Sequence, residues 1–203
     1  EDLIDRMEVT LTNYLIKISD RELGERESHR VSDLLGLVTE FERVGDYVIN
    51  ITEQAREMKD GDIHFSPMAQ QEMNILYQAI REVLDLTLEA FSTSNAALAA
   101  RIEPLEQTID SICDTLRQRH IERLKEGTCQ IDAGIRFLDV LTNLERISDH
   151  CSNVGARIVG SETGSELDAH ALRESMHRGD IPGYSSQLAD YHAKYLDELE
   201  TLT

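Results

Sequence analysis

Proline and glycine are sparse in this chain, three and eleven among 203 residues, so little in the composition interrupts long helices. Cysteine is scarcer still. Cys113, Cys129 and Cys151 are odd in number and form no CxxC pair, which argues against a disulfide framework or a thiolate zinc site and fits a reducing compartment. No apolar run approaches the ~20 residues needed to span a bilayer, and no signal-peptide pattern occurs. Basic residues are outnumbered, 20 against 39 acids, for a net charge of −19. That balance disfavours nucleic acid and anionic membrane surfaces as direct partners and favours cations. A His-Asp dipeptide, a glycine-rich phosphate loop and a nucleophile with an adjacent base are all missing. Cys113 and Cys151 therefore read as small core residues.

What the chain does have is helical periodicity, and the expected class is all-α. The stretch from Gly134 to Gly160 sets Glu145, Asp149 and Asn153 four residues apart, which stacks three oxygen-bearing side chains in one stripe of a helix. Phe137, Val140, Leu141, Leu144, Ile147, Cys151 and Val154 gather on roughly the opposite side, so the stripe is expected to look outward. A second stripe, Glu42, Asp46 and Asn50, lies 103 positions earlier, and Thr39 and Arg43 match Thr142 and Arg146 at the same shift. The identities are polar while the core positions agree only in kind. A duplicated helix with a duplicated polar task is the simplest reading.

In chain order, Leu3, Ile4, Met7, Leu11, Leu15 and Ile18 give a first helix from Glu1 to about Leu23, with Gly24 as its stop. Glu25 to His29 reads as a polar turn, and the helix carrying the first stripe then runs to about Lys59. Gly61 ends it, and Ser66 with Pro67 opens a scaffold helix that reaches about Arg101. Pro104 marks a kink or a new start. Beyond it Glu106, Ile109 and Asp110 echo Glu1, Ile4 and Asp5 at a shift of 105, so the duplication extends to a second helix. Gly127 closes that helix, and His120 and Arg123 are placed to cap its carbonyls. After Gly160 come a break, a short helix to His177 with Ser165 and Asp168 as a capping box, a second break at His177 to Gly183, and a closing helix from Tyr184. The expected organisation is a helix pair over 1–60, a three-helix bundle over 66–160, and a helical extension over 161–203 packing back on the bundles.

Within each unit, packing the ExxxD helix on the ExxxDxxxN helix would converge four carboxylates and an amide oxygen. Such all-oxygen sets suit hard cations, iron or manganese, and unneutralised they repel. A solvated acidic face is the other reading of the same residues. Arg43 and Arg146, each directly after a stripe glutamate, are expected to pair with acids at the edge of the site. His150 points about 100° away from Asp149 and reads as a surface or interface histidine. A ferritin-type di-metal oxidase would need Glu-x-x-His, and Gly45 and Ser148 stand where those histidines would be.

Leu144-Glu145-Arg146-Ile147-Ser148-Asp149-His150 with Asn153, and Phe41-Glu42-Arg43-Val44-Gly45-Asp46 with Asn50, resemble the paired signature of the PhoU family of phosphate-signalling proteins. The run from His120 to Leu124, Gly127, Cys129 and Phe137 onward is more narrowly similar to the cytoplasmic PhoU-like domain at the C-terminus of bacterial sodium/phosphate cotransporter proteins. The resemblance implies paired three-helix bundles bearing multinuclear metal clusters, iron in some members. It would place one cluster on Glu1, Asp5, Glu42 and Asp46 and another on Glu106, Asp110, Glu145 and Asp149, with Asn50 and Asn153 adjoining. One departure is Tyr47, which stands where His150 stands in the second unit. The implied role is regulation of phosphate transport or signalling, with a metal-dependent phosphohydrolase or other carboxylate-bridged metalloenzyme as the alternative. Implied partners are the transporter portion of the same polypeptide, on the cytoplasmic face of the membrane, and phosphate-signalling proteins; a homodimer stays open. Because the chain starts at Glu1 inside an apparent helix, the expectation is a domain that follows membrane-spanning segments.

Overall fold

The computed structural model describes residues 2–163, 175 and 183–202. Glu1, the Ser165/Asp168 capping box, the short helix to His177 and the second break up to Pro182 lie outside the described residues. Among the described residues every regular element is a helix: α1 Asp2–Ser19, α2 Glu25–Asp60, α3 Pro67–Thr93, α4 Ala96–Ala99, α5 Ile102–Lys125, α6 Ile131–Thr163 and α7 Tyr184–Thr201. The all-α expectation holds. No helix among the described residues is long and apolar enough to cross a membrane.

Several boundaries follow the caps read from the sequence. Ser66 accepts a hydrogen bond from the Ala69 amide at 3.2 Å and Pro67 occupies the first helical turn, where its missing amide costs nothing. Gly127 takes φ +68° just beyond α5, a conformation that favours glycine. Other boundaries differ. The expected polar turn at Glu25 to His29 is already helix, because Glu27 reaches back to accept from the Gly24 amide at 3.0 Å and satisfies a donor that would otherwise be orphaned. The first helix stops at Ser19 rather than near Leu23, and the scaffold helix ends at Thr93, where Ser94 turns to φ +49°. Pro104 falls in the first turn of α5, so it marks a start and not a kink. The break expected from Gly160 begins later, since α6 continues to Thr163.

The core belongs mostly to the second unit. Leu76, Val83, Ile109, Leu116, Leu141 and Val154 are fully buried where α3, α5 and α6 meet, and each such side chain contributes about 1.5–3 kcal/mol of burial free energy. The closing helix α7 runs along α5, from Tyr184 bonded to Gln107 at 2.7 Å to Leu199 and Leu202, whose carbonyls accept from Arg119 at 3.1 Å each. In the first unit α1 packs chiefly on α2. Its Leu3, Met7 and Leu11 are 61, 55 and 44% exposed, whereas their repeat counterparts on α5, Thr108, Ile112 and Leu116, are at 0%. The two units therefore share a helix pair but differ in what lies over it.

Candidate functional site

The two stripe-bearing helices, α2 and α6, are copies of one another, and they pack together antiparallel. The Asn50 amide donates to Asn143 at 3.3 Å, and the Asn153 amide donates to Glu40 at 3.1 Å. Because Asn143 and Glu40 are themselves counterparts at the shift of 103, these two bonds are one contact made twice around a local two-fold axis. Near that axis Tyr47 stacks on its own counterpart His150, ring centroids 5.6 Å apart and 20° from parallel. Asn50 and Asn153, expected beside metal, are thus spent on joining the two units. The expected outward stripe is corrected in the same way: Glu145 and Asp149 keep only 26 and 29% side-chain exposure, because helix neighbours stand on both flanks.

The two halves of this junction differ chemically. In one, Glu40 is held by the Nδ1–H of His150 at 2.7 Å, by Asn153, and by Arg157 at 3.9 Å. Burial alone would raise the Glu40 pKa, but these hydrogen bonds and nearby positive charges hold it below the ordinary 4.5. Arg157 fits because residue 36 is glycine: a Cβ there would lie 2.3 Å from the guanidinium carbon. In the other half Arg136 reaches Gln54 and Glu57 at 2.7 Å each, and Asn50, Glu53, Gln54, Asp139, Thr142 and Asn143 line an open polar groove of about 330 Å³.

Around the second metal set the structure places a guanidinium. Arg117 of α5 grips Glu145 with both terminal nitrogens, Nη2 on Oε2 and Nη1 on Oε1 at 3.3 Å, and also holds Asp114 at 3.1 Å. Arg146 pairs with Asp149 at 3.6 Å, as expected for an arginine at the edge. Glu106 is only 1% exposed and Asp110 is half-buried. Cys113 sits among Glu145, Arg117, Asp110 and Asp114, and burial followed by the Glu145 charge pushes its thiol pKa far up, leaving it inert.

The first set has another composition. At the counterparts of Arg117 and Cys113 stand Thr12 and Glu8, joined by a hydrogen bond of 3.3 Å. Burial, Asp46 and Glu8 raise the Glu42 pKa above 4.5, with Arg43 opposing. Asp5 lies exposed on α1 and Asp46 is half-buried. Among the described residues no three His, Cys, Asp or Glu side chains form a metal-ligating group. In the second set one of the four carboxylates, Glu145, is already neutralised by Arg117, so the set does not fit a cation as it stands.

Sequence reasoning missed Glu40, whose only signal was its alignment with Asn143. It also missed the buried trio of Glu72, 0% exposed, with Arg123 at 2.7 Å and Arg119 at 3.4 Å. Nor does the pair His120 and Arg123 cap α5: His120 is buried against Phe137, 5.4 Å between centroids, and Arg123 turns to Glu72.

Comparison with known proteins agrees with this architecture. The chain resembles the phosphate-specific transport system accessory protein PhoU homolog 1 of Thermotoga maritima, 25% identical over 168 residues that cover 82% of this chain and 72% of the relative. It resembles the corresponding PhoU homolog of Streptococcus pneumoniae, 26% identical over 159 residues covering 75% of this chain and 72% of the relative. The fold matches the crystal structure of PhoU from Pseudomonas aeruginosa with a TM-score of 0.75 at 21% identity, covering 80% of this chain and 78% of that one. The PhoU domain family model matches residues 1–55 and 73–158, which takes in both repeats and both stripes, and the chain belongs to the PhoU family.

Proposed function

We propose that this chain is a PhoU-type regulator of phosphate transport, working through helix-bundle contacts and not through catalysis. The observation that carries this is the family match over both repeats, in a chain whose relatives are named as accessory proteins of a phosphate-specific transport system. The finer part of the proposal is that the domain belongs to a sodium/phosphate cotransporter polypeptide and sits at the cytoplasmic face of its membrane portion. The exposed row Leu3, Met7 and Leu11 supports attachment to something larger, because the equivalent row in the second unit is covered by a helix. Phosphate uptake by cells carrying the full transporter, with and without this domain, tests the reading. Removing the domain should raise uptake at high external phosphate; unchanged uptake at every phosphate level would refute it.

The phosphohydrolase alternative gains nothing from the site. Burial pushes the Cys151 thiol up to about 12, as it pushes Cys113 further, so neither supplies a nucleophile. Metal is left out of this reading, because among the described residues neither acidic set brings three ligating side chains together.

A further inference from the structure

We infer that Arg117 is a built-in counter-ion: its guanidinium occupies the place of a bound cation in the second unit, which is therefore metal-independent. The inference rests on side-chain placement and not on the transport reading above, so each can fail alone.

Glu145 is the first acid of the second stripe, and Arg117 meets both of its oxygens while its side chain stays only 29% exposed. A planar guanidinium matched to a carboxylate in this forked way is the strongest neutralising pair that side chains make, and the charge of arginine persists at all physiological pH. The same side chain also reaches Asp114, an exposed residue one turn earlier on α5, at 3.1 Å. On a further side of the cluster Arg146 lies against Asp149.

The repeat supplies the internal control. At the counterpart of Arg117 the first unit has Thr12, and at the counterpart of Cys113 it has Glu8. The first unit thus gains a carboxylate and loses a guanidinium at positions where the backbone is equivalent. A nearby cation relieves the repulsion among acids packed together, and at this repeat position only the second unit supplies one from its own sequence.

The test uses the whole chain and manganese(II), counted after equilibrium dialysis and read independently by thermal unfolding. In the wild-type background Glu145→Gln should leave the manganese bound per chain unchanged while lowering the melting temperature in chelator. Arg117→Met, which removes the charge but keeps most of the volume, should bind about one additional manganese per chain, and adding Glu145→Gln to it should abolish that gain. Arg117→Lys, which keeps the charge, should gain none. Circular dichroism verifies that each variant is folded. A loss of manganese on Glu145→Gln in the wild-type chain would overturn the inference, and so would an Arg117→Met chain that folds yet binds no more metal than the parent.

Discussion

Replacing Glu40 by glutamine tests whether the α2–α6 junction is held by charge. The amide side chain keeps a carbonyl oxygen for one donor but loses the negative charge that His150, Asn153 and Arg157 share. Both Glu40 and His150 have side chains only 13% exposed, so solvent screens this pair far less than a surface pair. Hydrogen bonds to a charged group contribute about 1.5–3 kcal/mol, and here two such bonds weaken while neither partner is stranded entirely, so the expected cost is about 2–3 kcal/mol. For a chain of this length that corresponds to a fall of about 5–10 °C in melting temperature. The sign of the pH dependence follows from the depressed Glu40 pKa. Its stabilisation is fully present above the ordinary carboxylate value of 4.5 and is lost as pH falls through the lower folded-state value. Calorimetry of both chains at neutral pH and in a series down through the acid range should therefore show a gap that is widest near neutrality and closes with acid. Equal melting temperatures at neutral pH, or a gap indifferent to acid, would show that the junction is held by packing alone.

Glu42→Gln, two residues along the same helix, should act in the opposite sense. The Glu42 pKa is raised, first by burial and then by Asp46, so its charged form opposes folding at neutral pH and the substitution should raise the melting temperature; a drop in stability would refute the argument. Arg119→Met should loosen α7, because Arg119 donates to the carbonyls of Leu199 and Leu202 at the end of that helix. Limited proteolysis within α7 should quicken about tenfold, the equivalent of ~1.4 kcal/mol, and an unchanged cleavage rate would place the anchorage of α7 elsewhere.

The helices are legible in the sequence because local signals decide them. Apolar spacing locates the cores of α1, α3, α5 and α6, and Ser66-Pro67 and Gly127 mark ends through backbone chemistry that depends on no distant residue. The start of α2 is not legible, since residues Glu25 to Arg30 are polar and exposed all round and carry no period. The stripe shows itself as a duplication, yet its partners lie on other helices. Arg117 meets Glu145 across 28 positions and Glu40 meets Asn153 across 113, and nothing in a helical period ranks one distant residue above another. The repeat alignment holds more than periodicity draws from it, because the pairing of Glu40 with Asn143 and of Thr12 with Arg117 becomes meaningful once the antiparallel packing is known.

The stacking of Tyr47 on His150 has an evolutionary consequence. In a homodimer of a single unit, a residue on the symmetry axis faces its own image, so every substitution strikes both sides at once and an unlike pair at that point is unattainable. Joining two copies in one chain removes that constraint, and here the freedom has been used: an aromatic phenol faces an imidazole, and beside them a carboxylate has one arginine while its counterpart amide borders an open groove. Fusion has turned one contact into two separately heritable ones, so that one half of the joint can be tuned by mutation while the other holds the units together.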